Sequence, residues 1–211
     1  MKKITTTLFD FDGVVADTES LYDIFWTGIE KKYQLKIPGF SARIKGTTMQ
    51  NIFNTYFSDL SDEEQQKIAE ACSGYEKEME YKEIKGSVAF LHTLKKKGYK
   101  VGLVTSSLIE KIQIALKRMG LETVFDTIVT ADRVTKGKPD PMGYLLAAKD
   151  LGAEPQECVV FEDAFTGIQA GTTAGMRVIG LATTNPAETI CDKVFAVIPD
   201  FCDEEHVLSL L

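Results

Sequence analysis

Two aspartates, Asp10 and Asp12, stand two residues apart where an apolar stretch runs into Gly13. Residues i and i+2 of an extended chain point to the same side, so both carboxylates can face one ligand. Residues 4–9 are apolar or β-branched and carry no turn signal, which predicts a strand before the first aspartate. A simple Asp-Gly turn is the alternative. A carboxylate pair at a strand end can supply a nucleophile and a proton carrier, or part of a site for a hard cation.

A run of three hydroxyl residues, Thr105, Ser106 and Ser107, follows the apolar residues 101–104 and precedes a helical pattern. The ordinary interpretation is a helix N-cap, with Glu110 three residues after Ser107 as a capping-box partner. The alternative is an anion site, because a hydroxyl and unpaired backbone N–H groups at a helix N-terminus suit a phosphate. Thr105, at the predicted strand end, is then the best-placed side-chain donor.

Lys138 lies in a predicted loop, directly before Pro139. The proline restricts Lys138 to extended geometry, and Asp140 can cap a helix that has Pro141 at its first position. A loop lysine is usually a solvated charge. Held beside a carboxylate and a phosphate, Lys138 would instead offset negative charge. Lys136 is the competing candidate and is less constrained by its neighbours.

Two adjacent acids, Glu162 and Asp163, follow the apolar residues 159–161. Capping of a helix that begins near Phe165 is one interpretation. The other is metal binding, since Mg²⁺ prefers oxygen ligands, usually one or two carboxylates together with phosphate and water. Asp10 and Asp163 meet that need.

The first third of the chain shows helical patterns. Apolar residues recur at i+4 from Leu21 onward, a second helical stretch covers about residues 48–57, and a third opens with a capping box formed by Ser61 and Glu64. Residues 15–84 are therefore predicted to be all helical.

From Gly86 onward, predicted helices alternate with predicted strands. Such alternation implies right-handed crossovers and a parallel sheet covered on both faces, which the first strand must join to bury its apolar faces. The predicted helices are 87–97, 107–119, 141–151 and 165–174, and the predicted strands are 4–9, 100–104, 127–130, 158–161, 177–181 and 194–198. We predict an α/β fold with a Rossmann-like parallel-sheet core, residues 1–14 and 85–211, and an inserted all-helical cap domain, residues 15–84.

Composition narrows the function classes. A formal net charge of −7 and the absence of a basic stripe oppose a nucleic-acid or anionic-membrane partner. The four cysteines are far apart and have no histidine at ligand spacing, which argues against a zinc site or a disulfide framework. No stretch approaches the length needed to span a bilayer. A soluble cytoplasmic protein is expected, and a monomer is the simplest expectation for its oligomeric state.

Taken in order, the four polar motifs resemble those of the haloacid dehalogenase-like hydrolases, and within them the subgroup of β-phosphoglucomutase and its phosphatase relatives. The similarity is strongest over residues 13–19 and 162–170, and it is weaker in the cap, chiefly at residues 43–46. The motifs are Asp10-Phe11-Asp12-Gly13, Thr105 after an apolar strand, Lys138-Pro139 and Glu162-Asp163.

The resemblance implies a two-step displacement. Asp10 would attack phosphorus and become an aspartyl phosphate, and Asp12 would protonate the leaving oxygen and later deprotonate water. Splitting one displacement into two is the general logic of covalent catalysis. Mg²⁺ would be bound by the Asp10 carboxylate, the Asp12 backbone carbonyl and Asp163, with Glu162 as a helper.

The resemblance also implies the contacts to the transferring phosphate. Thr105, with backbone N–H groups near Ser106 and Ser107, would hold it, and Lys138 would screen it. Arg43 could reach the substrate from the cap, although an exposed helix arginine is the more ordinary interpretation. Helices that close over the site and exclude water favour a small phosphorylated metabolite as substrate.

Three functions from different classes remain open at this stage: a magnesium-dependent phosphatase, a sugar-phosphate mutase, and a catalytically idle binding protein. The intact motif set opposes the last. In the mutases that the chain resembles, a histidine usually stands ten residues after the second aspartate, and here that position is Tyr22. The phenol stays neutral at pH 7, so the sequence favours transfer of phosphate to water.

Overall fold

A six-stranded, all-parallel sheet forms the centre of the molecule in the computed structural model, which describes residues 3–211. The strand order is β3-β2-β1-β4-β5-β6, so the direction of winding reverses between β1 and β4. Open α/β sheets bind ligands at the carboxyl ends of the strands beside such a reversal. The predicted parallel α/β fold is confirmed. The strands are β1 (Thr6–Phe9), β2 (Lys100–Val104), β3 (Thr127–Val129), β4 (Cys158–Glu162), β5 (Arg177–Leu181) and β6 (Ala196–Ile198).

The helices connect the strands or lie between β1 and β2 in the chain. None of those within residues 3–211 combines the length and apolar character that crossing a membrane requires. They are α1 (Glu19–Lys32), α2 (Phe40–Ile44), α3 (Met49–Tyr56), α4 (Asp62–Glu78), α5 (Ser87–Lys96), α6 (Ile109–Met119), α7 (Met142–Asp150), α8 (Phe165–Thr173), α9 (Ala187–Ile190) and α10 (Glu204–Ser209). The sequence did not predict α2 or α9, which have five and four residues and are too short to show a helical period.

Both faces of the sheet are buried, as a parallel sheet requires. Neighbouring strand residues alternate between two hydrophobic clusters: Leu8 and Val160 pack on one face, and Phe9 and Phe161 on the other. The rings of Phe9 and Phe161 stack with centroids 4.6 Å apart. This packing holds β1 and β4 in register, so the polar residues that follow them emerge side by side.

Helices α1–α4, which we call the helical cap, bury their apolar side chains against one another. Trp26, Phe40, Phe53 and Phe57 lie in a third hydrophobic cluster that is separate from the two on the sheet. The two connections between cap and sheet run side by side, because Ile84 N donates to Val15 O (3.0 Å) and Asp17 N donates to Lys82 O (2.8 Å). The predicted division of the chain into residues 15–84 and the remainder stays a prediction.

Candidate active site

The polar residues predicted from the sequence meet at the carboxyl edge of the sheet. Asp10 directly follows β1, Thr105 follows β2, and Glu162 and Asp163 stand at the end of β4. All four are buried. Backbone pairing continues one residue past the first strand, since Asp10 N donates to Phe161 O (3.1 Å). The sheet therefore fixes the origin of each side chain.

Lys138 is the cation of this cluster. Its buried Nζ lies 2.8 Å from Asp10 Oδ1 and 2.6 Å from Glu162 Oε1, and it donates to Val104 O at 3.1 Å. Lys136 is exposed and lies 3.9 Å from Asp140. The structure thus brings Lys138 to the strand ends and leaves Lys136 in solvent.

One lysine does not balance the carboxylates around it. Burial raises the pKa of Asp10 to about 7, Lys138 opposes that rise, and Glu162 and Asp12 add to it. Burial, followed by the charges of Glu162 and Asp10, also raises the pKa of Asp163 well above its usual range. Burial lowers the pKa of Lys138, but the Asp10 and Glu162 carboxylates outweigh that effect, so the pKa of Lys138 lies above its ordinary value. The cluster therefore favours a further cation.

Three carboxylates are close enough to surround such a cation: one oxygen each of Asp10, Glu162 and Asp163 lies within 4.8 Å of the others. Asp163 Oδ1 is buried and has no hydrogen-bond partner among residues 3–211, and its other oxygen accepts from the Thr184 hydroxyl. A buried carboxylate oxygen without a donor is costly unless a cation meets it. The donor set is all oxygen, which suits Mg²⁺.

Glu162 differs from the other two carboxylates because its oxygens are already occupied. Oε1 accepts from Lys138 Nζ and from Tyr144 OH (2.8 Å), and Oε2 accepts from the backbone N–H groups of Asp163 (3.0 Å) and Ala164 (3.2 Å). This pattern makes Glu162 a support for Lys138 and for the loop that carries Asp163.

The Asp12 carboxylate is engaged by a residue that sequence reasoning missed. Lys111 Nζ lies 2.6 Å from both of its oxygens, Ser107 Oγ donates to it at 3.0 Å, and the Thr18 hydroxyl donates to it as well. Lys111 is buried on the apolar stripe of α6, which also carries Ala115. A lysine at a core position of an amphipathic helix was the signal that could have revealed it.

The hydroxyl segment does not form the predicted capping box. Helix α6 begins at Ile109, two residues later than predicted, with Leu108 in the N-cap position and no side-chain cap. Ser107 instead gives its hydroxyl to Asp12. Thr105 Oγ1 accepts from Ser107 N (3.1 Å), and Ser106 Oγ donates to Gly46 O of the cap (2.9 Å). The segment that follows β2 thus contacts both Asp12 and the cap.

The structure does not bring Arg43 into this arrangement. The side chain is exposed, and its Nε donates to Pro38 O at 3.0 Å within the cap. Lys45, two residues later, is less exposed and lies 3.2 Å from both Glu19 Oε2 and Asp23 Oδ2. The end of α2 at Ile44 turns these neighbouring basic residues in different directions.

A cavity of about 150 Å³ separates the strand ends from the cap. Asp10, Asp12, Thr105 and Lys111 line it on the sheet side. The cap contributes the side chains of Glu19, Tyr22, Asp23, Trp26, Lys45 and Glu76. A small ligand in this space would contact Asp10, Asp12 and the cap at the same time.

A buried carboxylate lies beside a lysine, a hydroxyl and a cluster that could hold a cation, all at the carboxyl edge of a parallel sheet. This arrangement has the parts that phosphoryl transfer needs, because that chemistry depends on positioning and charge neutralisation. The chain belongs to the haloacid dehalogenase-like hydrolases, whose family profile matches residues 7–181. The family prediction is confirmed.

Individual relatives agree with this assignment. The chain is 34% identical to hexitol phosphatase A of Escherichia coli K12 over 188 residues, which cover 86% of this chain and 84% of that protein. It is 30% identical to validoxylamine A 7'-phosphate phosphatase of Streptomyces hygroscopicus subsp. limoneus over 190 residues, 88% of this chain and 89% of that protein. The β-phosphoglucomutase structure from Clostridium difficile superposes with a TM-score of 0.81 at 26% identity and covers 98% of this chain and 96% of that one. The protein is a hydrolase acting on phosphate monoesters.

Proposed function

We propose that the protein is a magnesium-dependent phosphatase that hydrolyses a small phosphorylated metabolite through an aspartyl phosphate on Asp10. The observation that carries the proposal is the Asp10 carboxylate, which is buried, lines the cavity and is held 2.8 Å from Lys138 Nζ. A nucleophile needs a fixed position and an ionised state, and the lysine favours both.

Asp10, Asp163 and the backbone carbonyl of Asp12 would hold the Mg²⁺ ion. Asp163 Oδ1, which has no hydrogen-bond partner among the described residues, supports this assignment. When bound, the ion would offset the charge of the phosphate and of the carboxylates around it. We assign Glu162 a positioning role through Lys138, because its own oxygens already accept four hydrogen bonds.

In the first step, an oxygen of Asp10 forms a bond to phosphorus while the bond to the ester oxygen breaks. Asp12 serves as the proton donor to that leaving oxygen. In the second step, water attacks phosphorus, Asp12 accepts the water proton, and the Asp10 carboxylate leaves. Thr105 contacts the transferring group, and Lys138 offsets its charge. These roles follow the general logic of acid–base and covalent catalysis.

A sugar-phosphate mutase is the second candidate, and the similarity to the β-phosphoglucomutase structure favours it. The surroundings of Tyr22 favour hydrolysis instead. The phenol donates to Glu76 Oε1 at 2.6 Å, and burial raises its pKa well above the ordinary value, so it stays neutral and engaged within the cap. It is therefore not free to exchange a proton with Asp12.

The test follows both products at once. The protein is incubated with β-glucose 1-phosphate, Mg²⁺ and a trace of the bisphosphate, and inorganic phosphate and glucose 6-phosphate are measured together. We expect phosphate release to exceed isomerisation. Isomerisation that outpaces phosphate release by a wide margin would replace the phosphatase with the mutase.

A further inference from the structure

The cavity between sheet and cap has a charge pattern that bears on the substrate. Its volume of about 150 Å³ gives room for on the order of ten water-sized groups, comparable with the organic part of a small sugar phosphate. The phosphate end is set by Asp10, so the remainder of a substrate must meet side chains of the cap. The side of the cavity formed by the cap, which we call the cap wall, therefore selects substrates by the chemistry of that remainder.

Both ammonium groups that line the cavity are already paired with carboxylates. Lys111 Nζ lies 2.6 Å from each oxygen of Asp12, and Lys45 Nζ lies 3.2 Å from Glu19 and Asp23. Among the lining residues in the described part of the chain there is no third ammonium or guanidinium group. An anionic group on the substrate would have to compete with a buried carboxylate for either lysine.

The cap wall instead carries a surplus of acid. Glu19, Asp23 and Glu76 line the cavity, against the single ammonium group of Lys45. Burial raises the pKa of Glu19 to about 7, and the Asp12 carboxylate adds to the rise while Lys45 opposes it. Burial raises the pKa of Glu76 in the same direction. The environment already disfavours the negative charges it holds, so one more would be costly.

Resting on the proposed phosphatase function, we infer that this cap wall restricts the substrate to phosphate monoesters whose organic part is polyhydroxylated and carries no second negative charge. The carboxylates of Glu19, Asp23 and Glu76 accept hydrogen bonds from substrate hydroxyl groups, which are donors. A substrate with a carboxylate or a second phosphate at that end would bring a negative charge into surroundings that already disfavour one, and it is rejected.

The test uses two open-chain six-carbon substrates that differ only at the end remote from the phosphate. Glucitol 6-phosphate has a hydroxymethyl group there, and 6-phosphogluconate has a carboxylate. With Mg²⁺ present, we expect kcat/KM for glucitol 6-phosphate to exceed that for 6-phosphogluconate by about tenfold or more, the scale of one unfavourable charge contact. A ratio near or below one overturns the inference.

Variants of the cap wall test the cause. Glu76→Gln and Glu19→Gln each keep a hydrogen-bond acceptor and remove a charge, so each should reduce the ratio by about threefold or more. Glu70→Gln is the matched control, because Glu70 is exposed on the same helix as Glu76 and contacts Gln66. A ratio that stays at the wild-type value in both cavity variants contradicts the assignment to these carboxylates. A melting temperature for each variant identifies loss of the fold.

A binding measurement separates this inference from the proposed function. Asp10→Asn protein with Mg²⁺ is titrated with both compounds by calorimetry, which needs no turnover. Tighter binding of glucitol 6-phosphate by about tenfold supports the inference even if the wild-type enzyme fails to release phosphate. Equal binding, or no binding of either compound, overturns the inference. Failure of the wild-type protein to release phosphate from the compound that it binds more tightly contradicts the proposed function alone.

Discussion

Lys138 is the residue on which the charge balance of the site depends. Its ammonium group contacts two buried carboxylates, those of Asp10 and Glu162, and one backbone carbonyl. Removing one partner of a buried ion pair is costly because the other charge stays behind without compensation. Here the lysine leaves two such charges behind.

We therefore expect Lys138→Ala to lower turnover by about a hundredfold or more even at saturating Mg²⁺, and to lower the free energy of unfolding by about 3 kcal/mol or more. Steady-state kinetics and urea unfolding measure the two effects. Lys136→Ala is the control, since Lys136 is exposed and its partner Asp140 is 3.9 Å away. A full effect in Lys136→Ala, or none in Lys138→Ala, would refute the assignment.

The Asp10 carboxylate should make the stability of the metal-free protein depend on pH. Burial raises its pKa from 3.8 to about 7 in the folded state. Between these two values the folded state keeps the proton of Asp10 while the unfolded chain has lost it. The contribution of this proton to the free energy of unfolding is therefore complete below about pH 4 and disappears as the pH rises through about 7.

In EDTA, the melting temperature of the wild type should therefore fall between about pH 5 and pH 8 more steeply than that of Asp10→Asn. Differential scanning fluorimetry across this range measures both slopes. Asp59→Asn serves as the control, because Asp59 is exposed. Parallel slopes for the wild type and Asp10→Asn would show that Asp10 does not titrate in this window.

At the scale of elements, the turn after β1 has to bring backbone against the acidic end of β4. Gly13 has φ +74°, and a Cβ atom at this position would lie 2.0 Å from Asp163 Oδ2. A side chain here is excluded both by the backbone conformation and by the space. The absence of a side chain at position 13 therefore allows the Asp163 carboxylate to lie against this turn, close to Asp10.

Gly13→Ala should displace the Asp163 carboxylate and raise the Mg²⁺ concentration for half-maximal activity by about tenfold or more. Gly39→Ala provides a matched control, because Gly39 also has positive φ, at +67°, but a Cβ there meets nothing within 4 Å in the part of the chain that the structure describes. That variant should lose about 1 kcal/mol of stability from strain without a change in metal requirement. The same shift in metal requirement for both variants would contradict the role given to Gly13.

Much of the element pattern could be predicted because it is local in the sequence. Each predicted strand overlaps the observed one, with β4 extending one residue further than predicted, to Glu162. The helices α4 and α5 start where caps and apolar periods indicated. The start of α6 could not be predicted, because Ser107 is a good N-cap by type. Its hydroxyl is taken by Asp12, ninety-five positions away in the chain, and local rules do not include such a competitor.

At the scale of the whole molecule, the grouping of residues at the strand ends could be predicted from the sequence, whereas the contacts around the cavity could not. A parallel sheet places the residues after β1, β2 and β4 together, which is why Asp10, Thr105 and Asp163 could be grouped from the sequence. The contacts across the cavity depend on how the cap packs on the sheet. The position of Lys111 on the apolar stripe of α6 indicates burial, but its partner Asp12 in the turn after β1 follows only from tertiary packing. The contact of Arg43 with Pro38 within the cap likewise depends on the local packing of the cap.

Metal removal probes the molecule as a whole, because the proposed ion joins residues that follow β1 and β4. We expect EDTA to abolish phosphate release and added Mg²⁺ to restore it, since the buried carboxylates cannot accept a phosphate without a further cation. Asp163→Asn should require more Mg²⁺ than the wild type for the same rate. Full activity in EDTA would mean that no metal takes part.

The central claim is that Asp10 carries the phosphoryl group between the two steps. Turnover of a good substrate with Mg²⁺ is stopped with acid, and the digested protein is analysed by mass spectrometry for an acid-stable, hydroxylamine-labile phosphoryl group. We predict that the peptide containing Asp10 gains one phosphoryl group, which is absent when substrate is omitted and absent in Asp10→Asn. Phosphate release without any phosphorylated peptide, a phosphoryl group on another residue, or Asp10→Asn activity within about tenfold of wild type would contradict the account.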